Sequence, residues 1–383
     1  MMLDSWDLEV MKLTGVSRYL PTGLSRKYDA PYFKKETIHN LQVHHLIVLM
    51  NDEKSYKLTK RGHDILSKLG YSFKRDARTD LKKNSYRVKL KNAQWNVMLS
   101  LSEVDVYYKT SRELSGKQCG YMSSLHLRSD NSMKQLSGSK FLGILKLRNT
   151  AYIPYCIEGR NDWIYPNFER DVQRSQVDAI REVNDIKLIL LGETLEELWL
   201  NVSPSTVSTK VVNGQKPFHV ALEEIGSEYL LIPTGRDGVL QLKLITICSY
   251  KKRIAKALRC EENHIQGLSE CDGWKEGMPF IVGVDFNIKR ILRGLKQVER
   301  YDNMLKPVVC CLPFQESTYT KALRRFSSVK PYLFPIPLND IYNVFPEVRY
   351  KELKYEPVAG KGGDYIVIPS GYKTEIKIEV VET

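Results

Sequence analysis

Apolar residues recur at helical spacing in three stretches near the start of the chain. Asp4 can cap the first helix, and Asp29 followed by Pro31 predicts the start of the third. The apolar positions are Leu8, Met11 and Leu13 in the first helix, Val16, Leu20 and Leu24 in the second, and Phe33, Ile38 and Leu41 in the third. The pattern therefore predicts three short helices before residue 45.

The pattern then changes to one that predicts a β-ribbon. Leu46–Met50 is a strand-like apolar run, Asn51–Lys54 is polar and turn-forming, and Tyr56–Leu58 returns as a second strand. Thr59 can cap a last helix, which ends at Gly70. This order of elements predicts a winged helix-turn-helix, a module that places one helix in a DNA major groove and a ribbon beside it.

With Phe33, Ile38 and Leu41 directed inward, the polar residues between them face away from the core. We expect His39 and Gln42 to read base edges, and the neighbouring lysines to contact phosphates. The predicted DNA-binding residues are Tyr32, Lys34, Lys35, His39 and Gln42 on the third helix, Lys54 and Lys57 on the ribbon, Lys60 and Arg61 at the next helix start, and Lys74 and Arg75 beyond it.

The charge of the chain favours a polyanionic partner, for which double-stranded DNA is the candidate. The formal net charge is +13, and residues 1–90 contain 18 Lys and Arg against 10 Asp and Glu. Basic surface lowers the free energy of phosphate contact through counterion release. The basic run at 74–91 has an alternative explanation, because such runs are also typical of a solvated linker. A winged helix that docks on a protein instead of DNA is a further alternative.

Beyond residue 84 strands and helices alternate, which predicts a mixed α/β fold. We divide the chain into a winged helix-turn-helix at 1–72, a basic linker at 73–84, an α/β domain at 85–345 and a small β-rich unit at 346–383. The helix predicted over 85–102 is assigned to the α/β domain, and residues 239–247 are predicted as a strand. In the hairpin predicted over 141–157, Pro154 indicates that the second strand lies at a sheet edge.

A Mg²⁺-dependent nuclease is one alternative function. Such sites need an aspartate and a Glu-x-Lys, in which the carboxylates hold the ion and the lysine positions the attacking water. Asp364, Glu375 and Lys377 form the candidate set, while Asp285 is followed by Asn287 where a carboxylate is needed. Glu-x-Lys also arises by chance in a chain rich in both residues. We therefore expect no catalytic site, metal or cofactor, with Mg²⁺ entering only if the nuclease alternative holds.

The sequence also predicts the location of the protein and the redox state of its cysteines. Its start is acidic, and it has no run of about 18 uncharged apolar residues, so we expect a cytoplasmic protein without a membrane partner. The seven cysteines are scattered without a C-x-x-C pair, which is typical of reduced thiols.

Three segments together resemble the replication-relaxation proteins of Firmicutes plasmids and integrative elements. They are YKLTKRGHDILSKLG (56–70), SYRVKLKNAQWNVMLSLS (85–102) and FLGILKLRNTAYIPYCI (141–157), and the resemblance ends near residue 180. It implies a winged helix joined to a domain similar to restriction endonucleases, with a role in plasmid replication, mobilisation or DNA relaxation. It also implies that the acidic residue of the family's core strand falls near Asp285.

The sequence thus predicts a sequence-specific DNA-binding protein of a bacterial mobile element, acting in replication, mobilisation or transcriptional control of that element. A Mg²⁺-dependent nuclease and a protein-interaction scaffold are the alternatives. Besides DNA, the candidate partners are a second copy of the chain, giving a homodimer, and replication or transfer proteins.

Overall fold

The computed structural model confirms a mixed α/β protein with two compact units. One unit includes the first 101 residues, and the other spans Ser102–Tyr350. The residues described are 3, 5–28, 33–75, 84–127, 139–157, 163–203, 214–225, 228–326 and 329–348.

The first unit contains five helices and three strands among its described residues. They are α1 (Ser5–Ser17), β1 (Leu20–Pro21), α2 (Leu24–Tyr28), α3 (Lys35–Val43), β2 (Ile47–Leu49), β3 (Ser55–Leu58), α4 (Lys60–Lys68) and α5 (Asn84–Leu101). The strands form an antiparallel sheet in the order β1-β3-β2. This succession follows the predicted one, but the helix bounds differ. Val16 lies in α1, Leu20 belongs to a strand, and the second helix starts only at Leu24. The third helix starts at Lys35, with Lys34 at its N-cap, so the predicted start at Asp29 and Pro31 is wrong.

The turn between α3 and β2 connects directly to the start of α4. His45 has a φ of 53°, and its amide and that of Leu46 donate to the last carbonyls of α3, at Gln42 and Leu41. The Thr59 hydroxyl donates to the carbonyl oxygen of His45 at 2.6 Å and accepts from the Gly62 amide at 3.1 Å. One side chain therefore caps α4 and holds it against the end of α3.

Helix α5 packs within the first unit. Asn96 donates to the Ser17 hydroxyl at 2.8 Å, and Ser100 donates to Glu9 at 2.7 Å, so two buried polar contacts join α5 to α1. The assignment of this helix to the second domain, and the boundary at residue 84 with it, is therefore wrong. The side of α5 that contacts α1 includes these polar side chains, and the spacing of apolar residues alone does not indicate them.

The second unit contains a five-stranded mixed sheet in the order β10-β8-β6-β5-β4. Strands β6, β8 and β10 are parallel, and β4, β5 and β6 pair antiparallel. The strands are β4 (Cys119–Ser123), β5 (Gly143–Leu147), β6 (Thr150–Cys156), β8 (Asp185–Gly192) and β10 (Tyr229–Pro233), and a separate two-stranded pair is formed by β7 (Trp163–Ile164) and β9 (Lys216–Pro217).

A second sheet has the order β11-β12-β13-β14, in which β12, β13 and β14 are parallel. Its strands are β11 (Gly273–Lys275), β12 (Met278–Val282), β13 (Val308–Cys311) and β14 (Tyr332–Pro335). The helices of the second unit are α6 (Ser111–Leu114), α7 (Ser124–Leu127), α8 (Pro166–Val177), α9 (Leu195–Val202), α10 (Phe218–Ile225), α11 (Arg236–Thr246), α12 (Tyr250–Ala257), α13 (Ile288–Tyr301), α14 (Glu316–Phe326) and α15 (Leu338–Val344).

Two predictions about the second unit are wrong. Residues 239–247 lie mostly in helix α11, which buries Gln241 beside Leu242 and Leu244, so the alternating pattern there is not that of a strand. Strand β6 is central, because it pairs with β5 on one side and with β8 on the other. Its pairing with β5 ends at Tyr152, so Pro154 lies beyond the last of those pairs. The missing amide of Pro154 therefore interrupts no pairing between β5 and β6.

Most of the predicted C-terminal β-rich unit lies outside the described residues. Its first part, Pro346–Val348, is a 3₁₀ helix. Within the described part of the chain, no helix has the length and apolar character needed to cross a bilayer.

Candidate nucleic-acid interface

Helix α3 turns one polar side to solvent. Leu41 is buried, so its side of α3 faces the core, and at the edge of that side Asn40 donates to Asp7 of α1 at 2.7 Å. On the opposite side, Glu36, His39 and Val43 are exposed at spacings of three and four residues, which places them in one stripe. We call these three residues, together with Lys35 and Gln42 at their flank, the exposed face of α3.

A groove of about 680 Å³ borders this face. Leu20, Pro21, Leu24 and Ile38 contribute its apolar lining. Its polar lining comes from Ser25, Arg26, Lys35, His39, Gln42 and Tyr56. Among the described lining residues there is no carboxylate, so the charged groups along the groove are cationic.

The β2–β3 ribbon is fixed to the segment before α2. The Thr22 amide donates to the carbonyl of Lys54 at 2.9 Å, next to the pairing of β1 with β3. Lys54 is exposed at the turn, and Lys57 pairs with Val48, whose side chain is 48% exposed. The ribbon thus presents two lysines, as the sequence predicts for a wing.

Cations on this unit differ in whether an internal carboxylate already binds them. Arg75 lies 3.1 Å from Asp64 and donates to the Lys60 carbonyl at 2.9 Å, so its guanidinium group is already bound to α4. For a second set, no ion pair is found within the described residues: Lys34, Lys35, Lys54, Lys60, Arg61 and Lys74. These six side chains are available to an external anion.

Two partly buried side chains of this unit, His63 and Tyr56, have shifted pKa values. Burial, Arg75 and Lys57 together lower the pKa of His63 below its usual value. Burial alone raises the pKa of Tyr56 in the groove. His63 and Tyr56 are therefore neutral near pH 7 and contribute no charge to this surface.

The structure brings three of the predicted residues together at the groove and adds others. The predicted cations on the ribbon, on α4 and beyond it are not among the described lining residues. Lys35, His39 and Gln42 lie along the groove, and Tyr32 lies outside the described residues. The sequence prediction missed Arg26 and Val43. Val43 is 55% exposed. Its place at the end of a short helix is the sequence signal that this apolar side chain lies outside the core.

The residues considered for catalysis do not form a described site. Asp364, Glu375 and Lys377 lie outside the described residues. Within the described ranges, no cluster of three His, Cys, Asp or Glu residues is arranged to hold a metal ion.

Asp285, the second candidate, is only 4% exposed and is engaged internally. Its carboxylate accepts from the Tyr250 hydroxyl at 2.9 Å and lies 3.1 Å from the Lys251 ammonium group. Burial opposes ionisation, but Lys251 and Arg290 outweigh it and hold the pKa of Asp285 at about 2. Asp285 is therefore an ionised, buried carboxylate that pairs with a partly exposed lysine.

The backbone around Asp285 is equally constrained. The carbonyls of Gly283, Val284 and Asp285 accept hydrogen bonds from Tyr319, Gln315 and Gln241, respectively. Three carbonyl groups of this loop between β12 and α13 thus accept hydrogen bonds from side chains of other segments. Such bonds keep the carbonyl groups of a buried loop from being unpaired.

No protein-family model, curated protein or solved structure matches the chain. The resemblance to replication-relaxation proteins stays a prediction from the three sequence segments.

Proposed function

We propose that the first unit is a winged helix-turn-helix that binds double-stranded DNA, with α3 in the major groove and the β2–β3 ribbon beside it. The observation that carries the proposal is the exposed face of α3, flanked by unpaired cations and by a groove without described carboxylates. Counterion release at such a surface favours a polyanion of any sequence.

The dimensions of α3 suit this role. An α-helix with its side chains is about 10–12 Å across, which fits the width of about 12 Å of a B-DNA major groove, and α3 has nine residues to present there. Lys34 and Lys35 at its start would contact phosphates, while His39 and Gln42 would reach base edges. The ribbon lysines, Lys54 and Lys57, would contact the backbone of the neighbouring strand.

We further propose that this protein acts in replication, mobilisation or transcriptional control of a bacterial mobile element. The support is the sequence resemblance over the first 180 or so residues. The second unit would then serve dimerisation or docking of replication or transfer proteins. A scaffold whose first unit binds only protein is the competing proposal, and DNA binding distinguishes the two.

Fluorescence anisotropy with a labelled duplex, measured over a range of salt concentrations, tests DNA binding. We expect the affinity to fall steeply with salt, and the slope of log K against log salt to decrease by about 1.8 in Lys34→Ala/Lys35→Ala, because each lost phosphate contact contributes about 0.9. The matched control is Lys296→Ala/Arg300→Ala, which removes two exposed cations from α13 of the second unit. Salt-independent binding, or equal slopes in the two variants, would overturn the proposal.

A further inference from the structure

Glu36 is the one acidic residue in the sequence of α3, and it lies on the exposed face of that helix. Its side chain is exposed, and within the described part of the chain it forms no ion pair or hydrogen bond. Lys34 and Lys35 precede it without pairing with it. A negative charge without a described internal partner thus lies next to two lysines on the exposed face of α3.

Such a carboxylate has a narrow set of favourable positions beside DNA. Phosphates repel it, and it cannot donate a hydrogen bond when ionised. It is stabilised only where the duplex offers a donor. In the major groove the donors are the N4 amino group of cytosine and the N6 amino group of adenine.

Cytosine is the better match of the two. Adenine places the N7 acceptor beside its N6 donor, and N7 would oppose a carboxylate, whereas cytosine presents the N4 donor without that neighbour. The location of Glu36 in the first turn of α3 also fits, because the first residues of a recognition helix are those that contact base edges.

We propose that Glu36 is a specificity-determining residue that selects a cytosine in the DNA target by accepting a hydrogen bond from its N4 amino group. This inference rests on the proposed DNA-binding function. Glu36 contributes little favourable energy on other sequences, because there its charge faces acceptors and phosphates. Its effect is therefore on discrimination between sites, and not on general affinity for DNA.

A carboxylate in the first turn also interacts favourably with the helix dipole and thereby stabilises the helix, which is a purely structural role. The two roles predict different results for Glu36→Gln. A glutamine matches adenine through paired bonds to N6 and N7. If Glu36 reads a base, the substitution changes the preferred base from cytosine to adenine. If it serves only the helix, the substitution lowers the melting temperature slightly and leaves the preferred sequence unchanged.

The experiment is selection from a randomised duplex library with the full chain and with its variants, followed by affinity measurements on the selected duplexes. We expect the wild type to select cytosine at one position, Glu36→Gln to select adenine there, and Glu36→Ala to lose about tenfold in discrimination at that position. Glu53→Gln is the matched control, since Glu53 is an exposed acid of the ribbon turn whose carboxylate likewise has no described partner.

Three results would overturn the inference. The first is an identical selected sequence for wild type and Glu36→Gln, with or without a change in melting temperature. The second is an equal change of sequence in Glu53→Gln. The third is failure of the wild type to bind any duplex, which would remove the proposed function too. In the first two cases DNA binding itself would stand, so the failures are distinguishable.

Discussion

The ammonium group of Lys251 lies 3.1 Å from the carboxylate of Asp285 in the second unit. Lys251 is in α12 and Asp285 follows β12, so the pair connects a helix to the carboxyl end of a parallel strand. Removing one partner of such a pair leaves the other charge poorly compensated in a region of low polarity.

We expect Asp285→Asn to lower the free energy of unfolding by about 3 kcal/mol near neutral pH. Urea denaturation measures the change. The control is Glu347→Gln, which removes a carboxylate paired with Arg253 at a half-exposed site and should cost less than about 1 kcal/mol. An effect of Asp285→Asn as small as that of the control would contradict a stabilising role for the buried pair.

The same ion pair predicts how stability depends on pH. The folded-state pKa of Asp285, about 2, lies below the ordinary value of 3.8, so its contribution is fully present above about pH 4. It is lost as the pH falls from there towards 2. The difference in unfolding free energy between wild type and Asp285→Asn should therefore narrow over this range. A difference that is constant between pH 5 and pH 2.5 would contradict the prediction.

Thr59→Ala should destabilise the first unit by about 1–2 kcal/mol, because the hydroxyl both caps α4 and donates to His45. Thr59→Ser keeps the hydroxyl and serves as the control. Chemical denaturation with far-UV circular dichroism would follow the loss. Equal losses in the two variants would assign the effect to the methyl group instead.

Gly62→Ala tests how closely α4 approaches the turn after α3. A Cβ atom at Gly62 would lie 2.3 Å from the carbonyl oxygen of Leu46, a backbone atom that cannot move aside cheaply. We expect a loss of about 1–3 kcal/mol from the resulting displacement. Ser67→Ala on the exposed side of the same helix should change stability by less than about 0.5 kcal/mol. A tolerated Gly62→Ala would show that the two elements can separate.

The nuclease alternative is tested directly with supercoiled plasmid and Mg²⁺ or Mn²⁺. We expect the plasmid to stay covalently closed, since the Glu375-x-Lys377 motif is of a kind that arises by chance in this composition. Nicking by the wild type that is absent in both Glu375→Ala and Lys377→Ala would establish the nuclease instead. Nicking retained by both variants would point to a contaminant or to another site.

Local signals made the first unit predictable. Thr59 followed by a helix, and the polar Asn51–Lys54 between two apolar runs, each specify an element within a few residues. The helix at 84–101 could be predicted from the sequence, but the unit in which it packs could not. Its contacts to α1 use polar side chains, such as Asn96 and Ser100. Such pairings join residues about 80 to 90 positions apart, and the spacing of apolar residues carries no record of them.

The candidate site was predictable to a similar degree. Helical periodicity placed Lys35, His39 and Gln42 on one side of α3, where the structure also has them. It could not show that Arg26 of α2 and Tyr56 of β3 line the same groove, since that depends on how three elements pack. For Asp285, the sequence offered the carboxylate but not its partner Lys251, which is 34 positions away.

The pairing of β1 with β3 has a consequence for association. Leu20 and Pro21 pair with Tyr56 and Ser55, so one wall of the groove beside α3 belongs to the same sheet as the ribbon. The pairing fixes this wall relative to the ribbon. In the proposed complex, α3 and the ribbon would meet the duplex with this wall already in place, so little conformational entropy would remain to be lost there on binding. A surface of that kind would select DNA by its groove width as well as by its bases.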